Sequence, residues 1–216
     1  MRNFKILVID DSKTFLLYIR EMFRSYPQYE FTCINNPTEA LRILKQQNFD
    51  LVLTDYEMPE MNGPELCKLI KSDNMFKLLP ILMLTASTED GALQKAITAG
   101  ADDFLYKSST KEIVEIKIKS LLRSKMNMDN EIQEKQLKAV KALVATSNHE
   151  FNNALFISNE TLKKLKKQKK LESSEIVLID KAIEMNMRMH GVVKNLENIS
   201  DIQLMGHTEN IQTLKI

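Results

Sequence analysis

Tryptophan is absent from this chain, cysteine occurs twice, and glycine and proline occur five times each in 216 residues. Cys33 and Cys67 lie in apolar stretches with no CxxC spacing and no Cys/His pattern. That excludes a cysteine-built metal site or a disulfide scaffold and predicts two reduced, buried thiols. All the prolines lie at or before Pro80, and between residues 111 and 205 there is no proline and a single glycine, Gly191. A span that long without either breaker argues for long helices. An excess of one charge is also missing, since 30 Lys and Arg face 29 Asp and Glu and leave a formal net charge of +1. No global field therefore argues for nucleic acid or a membrane surface, and no helix-turn-helix or basic recognition stretch is visible. No apolar run approaches the roughly 18 residues of a membrane span. The opening apolar run is too short for a signal peptide and stops at two aspartates, so a cytoplasmic setting is expected.

What is present differs between the two halves. In the first, short apolar or β-branched runs at residues 4–9, 30–34, 51–54, 81–84 and 102–106 alternate with helical patterns. Near-continuous apolar character predicts strands buried on both faces, as in a parallel sheet. The helix starts are marked. Asn36-Pro37-Thr38-Glu39 puts proline at the first helical position with glutamate three residues after the cap, and Asn62-x-x-Glu65 and Ser109-x-x-Glu112 have capping-box spacing. Repeated βα units of this kind predict an α/β doubly wound sheet, in which ligands sit outside the carboxyl ends of the strands.

Those ends carry the chemistry. Asp10 and Asp11 follow the first strand, Asp55 ends the third, Thr85 the fourth and Lys107 the fifth. Each of these residues alone is explicable as a cap; all of them at appropriate strand ends describe a pocket. Carboxylates in one crevice repel each other, a divalent cation relieves the repulsion, and hard oxygen ligands suit Mg²⁺. Magnesium with Lys107 can hold the oxygens of a phosphoryl donor while Asp55 attacks in line and Thr85 donates its hydroxyl.

The segments Ile6-Leu-Val-Ile-Asp-Asp-Ser12, Asp55-Tyr-Glu-Met-Pro-Glu-Met-Asn-Gly63, Leu84-Thr-Ala86 and Ala99-Gly-Ala-Asp-Asp-Phe-Leu-Tyr-Lys107 closely resemble the receiver domain of response regulators. The resemblance covers about residues 1–123 and implies a five-stranded flavodoxin-like fold. It implies Asp55 as phosphoacceptor, with Asp10, Asp11, Asp55 and the Glu57 backbone carbonyl around magnesium. It also implies Thr85 and Phe104 as a pair that rearranges on phosphorylation. Where the family usually has proline after the lysine, this chain has Ser108, which leaves open the geometry of the loop into the following helix.

In the second half one helix is expected from about Lys111 to Lys169, with a helical linker at 124–136 and a helical hairpin at 137–216. Leu137, Val140, Val144, Phe151, Leu155, Leu162 and Leu165 recur in threes and fours, with Ser147 and Ser158 filling gaps. A turn after the lysine run at 163–170 leads into a second helix from Ile176 to about Met205, whose apolar face carries Ile179, Ile183, Val193, Leu196 and Ile199. Two such helices cannot bury their seams alone, so a homodimeric four-helix bundle is predicted, with a flexible stalk as the alternative. Met185, Met187 and Met189 read as adaptable packing, and the lysine run as a solvated helix end.

His149 lies off the seam, with Glu150 beside it and Asn153 one turn on. An exposed imidazole can carry a phosphoryl group, a carboxylate can orient its proton, and an amide can position water against an acyl phosphate. The stretch His149-Glu-Phe-Asn-Asn153, followed by a helical hairpin, is similar to the phosphoacceptor box of two-component histidine kinases. That likeness implies His149 as phosphoacceptor, Glu150 as its acidic neighbour and Asn153 at the position linked with phosphatase action. There is no GxG, no P-loop and no room for a nucleotide fold, so autophosphorylation from ATP is not expected.

The resulting expectation is a two-component phosphorelay protein whose partners are a sensor histidine kinase, another response regulator, or both. In it, phosphorylation of Asp55 controls a kinase-like helical dimer that transfers phosphoryl through His149 or dephosphorylates a partner. The alternative is a phosphorylation-gated binding module with a vestigial His149.

Overall fold

The computed structural model describes the backbone of residues 3–86, 90–167 and 172–212, and the side chains of these residues except residue 90 and residues 195–212. The chain divides into two compact units, Met1–Glu131 and Ile132–Ile216. In the first unit β1 (Phe4–Ile9), α1 (Lys13–Met22), β2 (Tyr29–Ile34), α2 (Pro37–Leu44), β3 (Leu51–Asp55), α3 (Gly63–Ser72), β4 (Ile81–Thr85), α4 (Asp90–Thr98) and β5 (Asp103–Tyr106) alternate, and α5 (Lys111–Lys166) begins. The sheet is wholly parallel, in the order β2-β1-β3-β4-β5. The five-stranded α/β fold expected from the sequence is thus present.

The reason is burial on both faces. Every residue of β3 and β4 is buried. Along β1, Leu7 and Ile9 pack toward α2, α3 and α4, while Ile6 and Val8 pack toward α1 and α5. That alternation is the period of two a strand imposes. Helix starts follow the cap signals. The Asn36 side chain accepts from the Thr38 and Glu39 N–H groups, and Asn62 with Glu65 forms a reciprocal capping box. The third expected box does not form, because the cap falls one residue later and puts Ile113 where a glutamate would be needed. Helix α5 starts at Lys111, and Val114 N–H donates to the Thr110 carbonyl at 3.1 Å, so Thr110 occupies the cap in place of Ser109.

The second unit holds the remainder of α5 and α6 (Ser173–Gln212). The expected extension of the first helix to Lys169 and the expected apolar side chains of Leu196 and Ile199 lie outside what is described. Side-chain contacts pair the two helices in antiparallel order. His190 Nδ1 lies 2.9 Å from Asn152 Oδ1, Asn186 Nδ2 donates to Ser158 Oγ at 2.9 Å and to Asn159 Oδ1 at 3.1 Å, and Lys166 pairs with Asp180. Of the seam read from the sequence, Leu155 and Val193 are buried and Val144, Leu162, Ile176, Ile179 and Ile183 half-buried, whereas Val140 and Phe151 are exposed. Asn148, outside that reading, is also buried, and Leu143 on α5 with Leu178, Met185, Met189 and Val192 on α6 are exposed. The three methionines at 185, 187 and 189 are therefore surface residues in the single chain, not internal packing.

The cysteines also divide. Cys67 is fully buried on α3, and burial pushes its thiol up to about 11. Cys33 is only half-buried, with Sγ 3.8 Å from the Leu16 carbonyl, which corrects the expectation of two buried thiols. At pH 8 a thiol of that pKa is thiolate in about one molecule per thousand. In the native protein, iodoacetamide should modify Cys67 at least about tenfold more slowly than Cys33 at pH 8, and the difference should vanish in denaturing guanidinium. Peptide mass spectrometry reads both sites; equal native rates would show that the α3 face is not closed.

Candidate functional site

Strand ends bring the polar residues together because the apolar runs stop in register. Strand β1 ends at Ile9, yet Asp10 N–H still donates to the Ile34 carbonyl at 3.1 Å, so Asp10 is held on the sheet with its side chain fully buried. Its Oδ1 accepts from Ser12 N–H at 3.0 Å, and Ser12 in turn caps α1 by accepting from Phe15 N–H at 3.3 Å. Asp55 is the last residue of β3, opposite Leu84 on the neighbouring strand. On the far side, Lys107 N–H donates to the Thr85 carbonyl at 2.8 Å, which fixes where the lysine side chain starts.

From there Lys107 Nζ reaches both carboxylates, at 2.7 Å from Asp10 Oδ2 and 2.7 Å from Asp55 Oδ2. Asp10, Asp11 and Asp55 each offer an oxygen within 4.8 Å of the others, and Asp11 is the exposed member. One ammonium against this trio leaves negative charge unbalanced. Burial, first, and the charge of Asp55 raise the Asp10 carboxyl above its ordinary value, while Lys107 and the Ser12 N–H hold it back. For Lys107, burial alone would lower the pKa, but the contacts with Asp10 and Asp55 outweigh it and hold the ammonium above its usual value. Asp10 Oδ2 has the close ion pair but no well-aligned hydrogen bond although it is buried. A buried acceptor with spare capacity, beside two further hard oxygens, fits a small divalent cation such as Mg²⁺.

Other expected residues fall around this cluster. Thr85 is buried at the end of β4 and faces Tyr106 in the sheet register. Phe104, two residues earlier on β5, is half-buried against the core, with its ring 5.6 Å from that of Tyr106. The Glu57 side chain is exposed in the loop after β3. Ser108 follows Lys107 in a turn closed by Ser109 N–H to the Tyr106 carbonyl at 2.9 Å.

In the second unit, His149, Glu150 and Asn153 are all exposed on α5. His149 Nδ1 lies 3.2 Å from Asn153 Nδ2, so the imidazole meets the residue one turn on and not its acidic neighbour Glu150. Asn152, Asn153, Leu155, Phe156, Asn159 and His190 line a cleft beside them. The buried Asn148 just before His149, and the Asn152 to His190 contact, were not anticipated. Their signal was polar residues at heptad spacing inside the apolar pattern.

One further residue proves to shape the pocket. A Cβ on Gly63 would sit 2.2 Å from the Asp55 carbonyl oxygen and 3.0 Å from Tyr56 Cα. Gly63 N–H donates to the Tyr56 carbonyl at 2.9 Å, which folds the loop back against the end of β3. The sequence contains this glycine in its motif but not the close backbone approach that requires it.

A family model for the response regulator receiver domain matches residues 6–119. The chemotaxis protein CheY of Pseudomonas aeruginosa is 32% identical over 117 residues, which are 54% of this chain and 94% of that protein. The transcriptional regulatory protein ResD of Bacillus subtilis is 36% identical over 122 residues, 55% of this chain and 48% of that protein. Among solved structures, a response regulator receiver domain protein from Clostridium thermocellum superposes with a TM-score of 0.53 at 28% identity, covering 57% of this chain and 98% of that one.

Because any side chain at residue 63 must push on the Asp55 backbone, Gly63→Ala should cost about 1–3 kcal/mol of stability. It should also displace Asp55 from Lys107. Urea unfolding followed by circular dichroism measures the first effect. An unchanged midpoint would mean that the loop yields freely.

Proposed function

The chain belongs to the response regulator receiver domain family, and from that premise we propose that it accepts a phosphoryl group on Asp55 and passes the consequence to a helical phosphotransfer-like dimer. The observation that carries the reading is Lys107 bridging Asp10 and Asp55 at 2.7 Å inside a carboxylate trio. Receiver domains work with histidine kinases and with other response regulators in two-component signalling, and the same partners are proposed for this chain.

In the proposed reaction an Asp55 carboxylate oxygen attacks phosphorus in line. The new P–O bond makes an acyl phosphate, and the bond from phosphorus to the donor breaks with its electron pair leaving on the donor, which takes a proton from solvent. Lys107 exchanges its contact with Asp55 for one with a phosphoryl oxygen, and the Thr85 hydroxyl donates to another. Asp10, Asp11, Asp55 and the Glu57 carbonyl would hold magnesium, which supplies neutralisation of the phosphoryl oxygens. Thr85 and Phe104 would then rearrange together. Incubation of the full chain with acetyl phosphate and magnesium should add one phosphoryl group by intact mass, and Asp55→Asn should take none. An undiminished adduct in that variant removes the assignment.

For the helical unit, the exposed stripes support pairing with a second copy. Phe151 and Met185 are 58% and 59% exposed in a single chain, and burying such side chains on both helices of two copies makes a four-helix bundle. The full chain should scatter light as a dimer at micromolar concentration, and Phe151→Glu with Met185→Glu should return it to a monomer. A monomeric parent would end this part of the reading.

At His149 the Asn153 amide can present either end to the ring. Turned so that its oxygen accepts from Nδ1–H, it leaves Nε2 with a free lone pair for phosphorus; alternatively the amide orients water against an incoming acyl phosphate. Neither use draws on a nucleotide. Mixing the protein with labelled phospho-receivers tests this: His149→Ala should abolish transfer, and Asn153→Ala should slow hydrolysis more than transfer. The exposed stripes are equally compatible with a second reading, a phosphorylation-gated binding module, which follows if the parent leaves every label untouched.

A further inference from the structure

The ammonium of Lys107 has a third neighbour besides the two carboxylates. Its Nζ lies over the Phe15 ring, 4.8 Å from the centroid. We propose that Phe15 is a positioning residue for phosphoryl acceptance, its ring holding the Lys107 ammonium against Asp10 and Asp55. The inference deepens the reading of Asp55 as acceptor and rests on it.

Four contacts close a circuit around the pocket. Asp10 Oδ1 accepts from Ser12 N–H, Ser12 Oγ accepts from Phe15 N–H, the Phe15 ring faces Lys107 Nζ, and Lys107 Nζ returns to Asp10 Oδ2. The cap that starts α1 therefore also aims the ring. A lysine ammonium is a mobile point charge on four rotatable carbons, and its hydrogen-bond partners alone leave it free to swing with them. Attack by Asp55 requires Lys107 to release one carboxylate oxygen and take up a phosphoryl oxygen. A ring face attracts the cation without occupying an N–H donor, so it holds Nζ in place while that exchange occurs. It also keeps water from one side of an ammonium that is already mostly covered, with 18% of its side chain exposed. The ring is half-buried against the sheet and lies 6.0 Å from that of Tyr18, so packing is the competing account of its presence.

An isostere separates the two accounts. Pentafluorophenylalanine at position 15 of the full chain keeps the shape and the ring current but reverses the charge of the ring face. Its phosphorylation by acetyl phosphate should be slower by about fivefold to tenfold, Phe15→Tyr should retain the parental rate, and Phe15→Leu should follow the fluorinated chain. In nitrogen-resolved NMR of the same proteins without donor, the Lys107 ammonium protons should be shifted upfield in the parent and in Phe15→Tyr. They should return toward the other lysines in the fluorinated chain, because the ammonium leaves the ring. A fluorinated chain that keeps both the shift and the parental rate overturns the role of the ring and leaves Asp55 as acceptor. A parent that takes no label, or whose label survives Asp55→Asn, overturns the acceptor reading and the kinetic role with it, and an upfield ammonium shift then leaves the ring with a structural part alone.

Discussion

Putting carboxylates side by side at the end of a sheet is electrostatically unfavourable, and Lys107 is what makes the arrangement tolerable in this chain. Asp10 has no exposed surface, and Asp55 is almost as deep. A buried carboxylate without a partner is costly enough that it protonates instead. Lys107 therefore has to arrive at a fixed point, and much of the surrounding structure serves that end. Strand β5 is only four residues long. Its start is secured by Asp102, whose Oδ2 accepts from Ile81 N–H at 2.8 Å and from Lys71 Nζ at 2.7 Å. Asp103 next to it pairs with Lys117 on α5 at 2.8 Å. These clips set the level at which β5 leaves the sheet, and hence where the ammonium lands.

The parts of this arrangement that were legible in the sequence are those that local physics decides. A strand covered on both faces is apolar along most of its length, so β1, β3 and β4 announce themselves, and the polar residues that close each apolar run mark its end. Asp10, Asp55 and Thr85 were found in that way. Caps are also local, which is why Asn36 and Asn62 were legible. At Ser109 and Thr110 two adjacent hydroxyl residues both offer a cap, and spacing to Glu112 chose the wrong one. What stayed hidden is tertiary. Nothing in the order of residues says that Gly63 N–H will fold back on Tyr56, that Asp102 will clamp a residue on β4, or that a ring on α1 will lie under the ammonium of the residue just after β5. The positive φ of 68° at Glu60 belongs to the same class, being imposed by the loop that delivers Gly63 and not invited by its own residue type.

The helical unit shows a different limit. Helix α5 is apolar over a sector too wide for one contact, and residues spaced by threes and fours can be drawn through it as one seam. With α6 paired to it the sector divides: Leu155 is buried and Val144 and Leu162 are half-buried, while Val140, Leu143 and Phe151 remain exposed. Only the location of the partner helix makes that division. Polar residues within the pairing face add a constraint of their own. Asn186 bonds both Ser158 and Asn159, and Asn152 meets His190. Such contacts give up some apolar burial, but they are satisfied in one register and broken in neighbouring ones. They therefore fix where His149 and Asn153 stand relative to α6 more sharply than apolar side chains could.

Charge at Asp55 can reach the rest of the first unit only through groups that already touch the pocket. A phosphoryl group on Asp55 would bring added negative charge and new acceptor oxygens, and Lys107, with Nζ already 2.7 Å from Asp55 Oδ2, is placed to answer it. One hydrogen bond, from Lys107 N–H to the Thr85 carbonyl, joins that lysine to the end of β4. The turn from Tyr106 to Ser109 follows directly, and α5 starts just beyond it at Lys111. The first turns of α5 are not loose: Glu115 accepts from Tyr26 Oη at 2.9 Å, and Lys117 holds Asp103. These contacts tie the first turns of α5 to the loop after α1 and to β5.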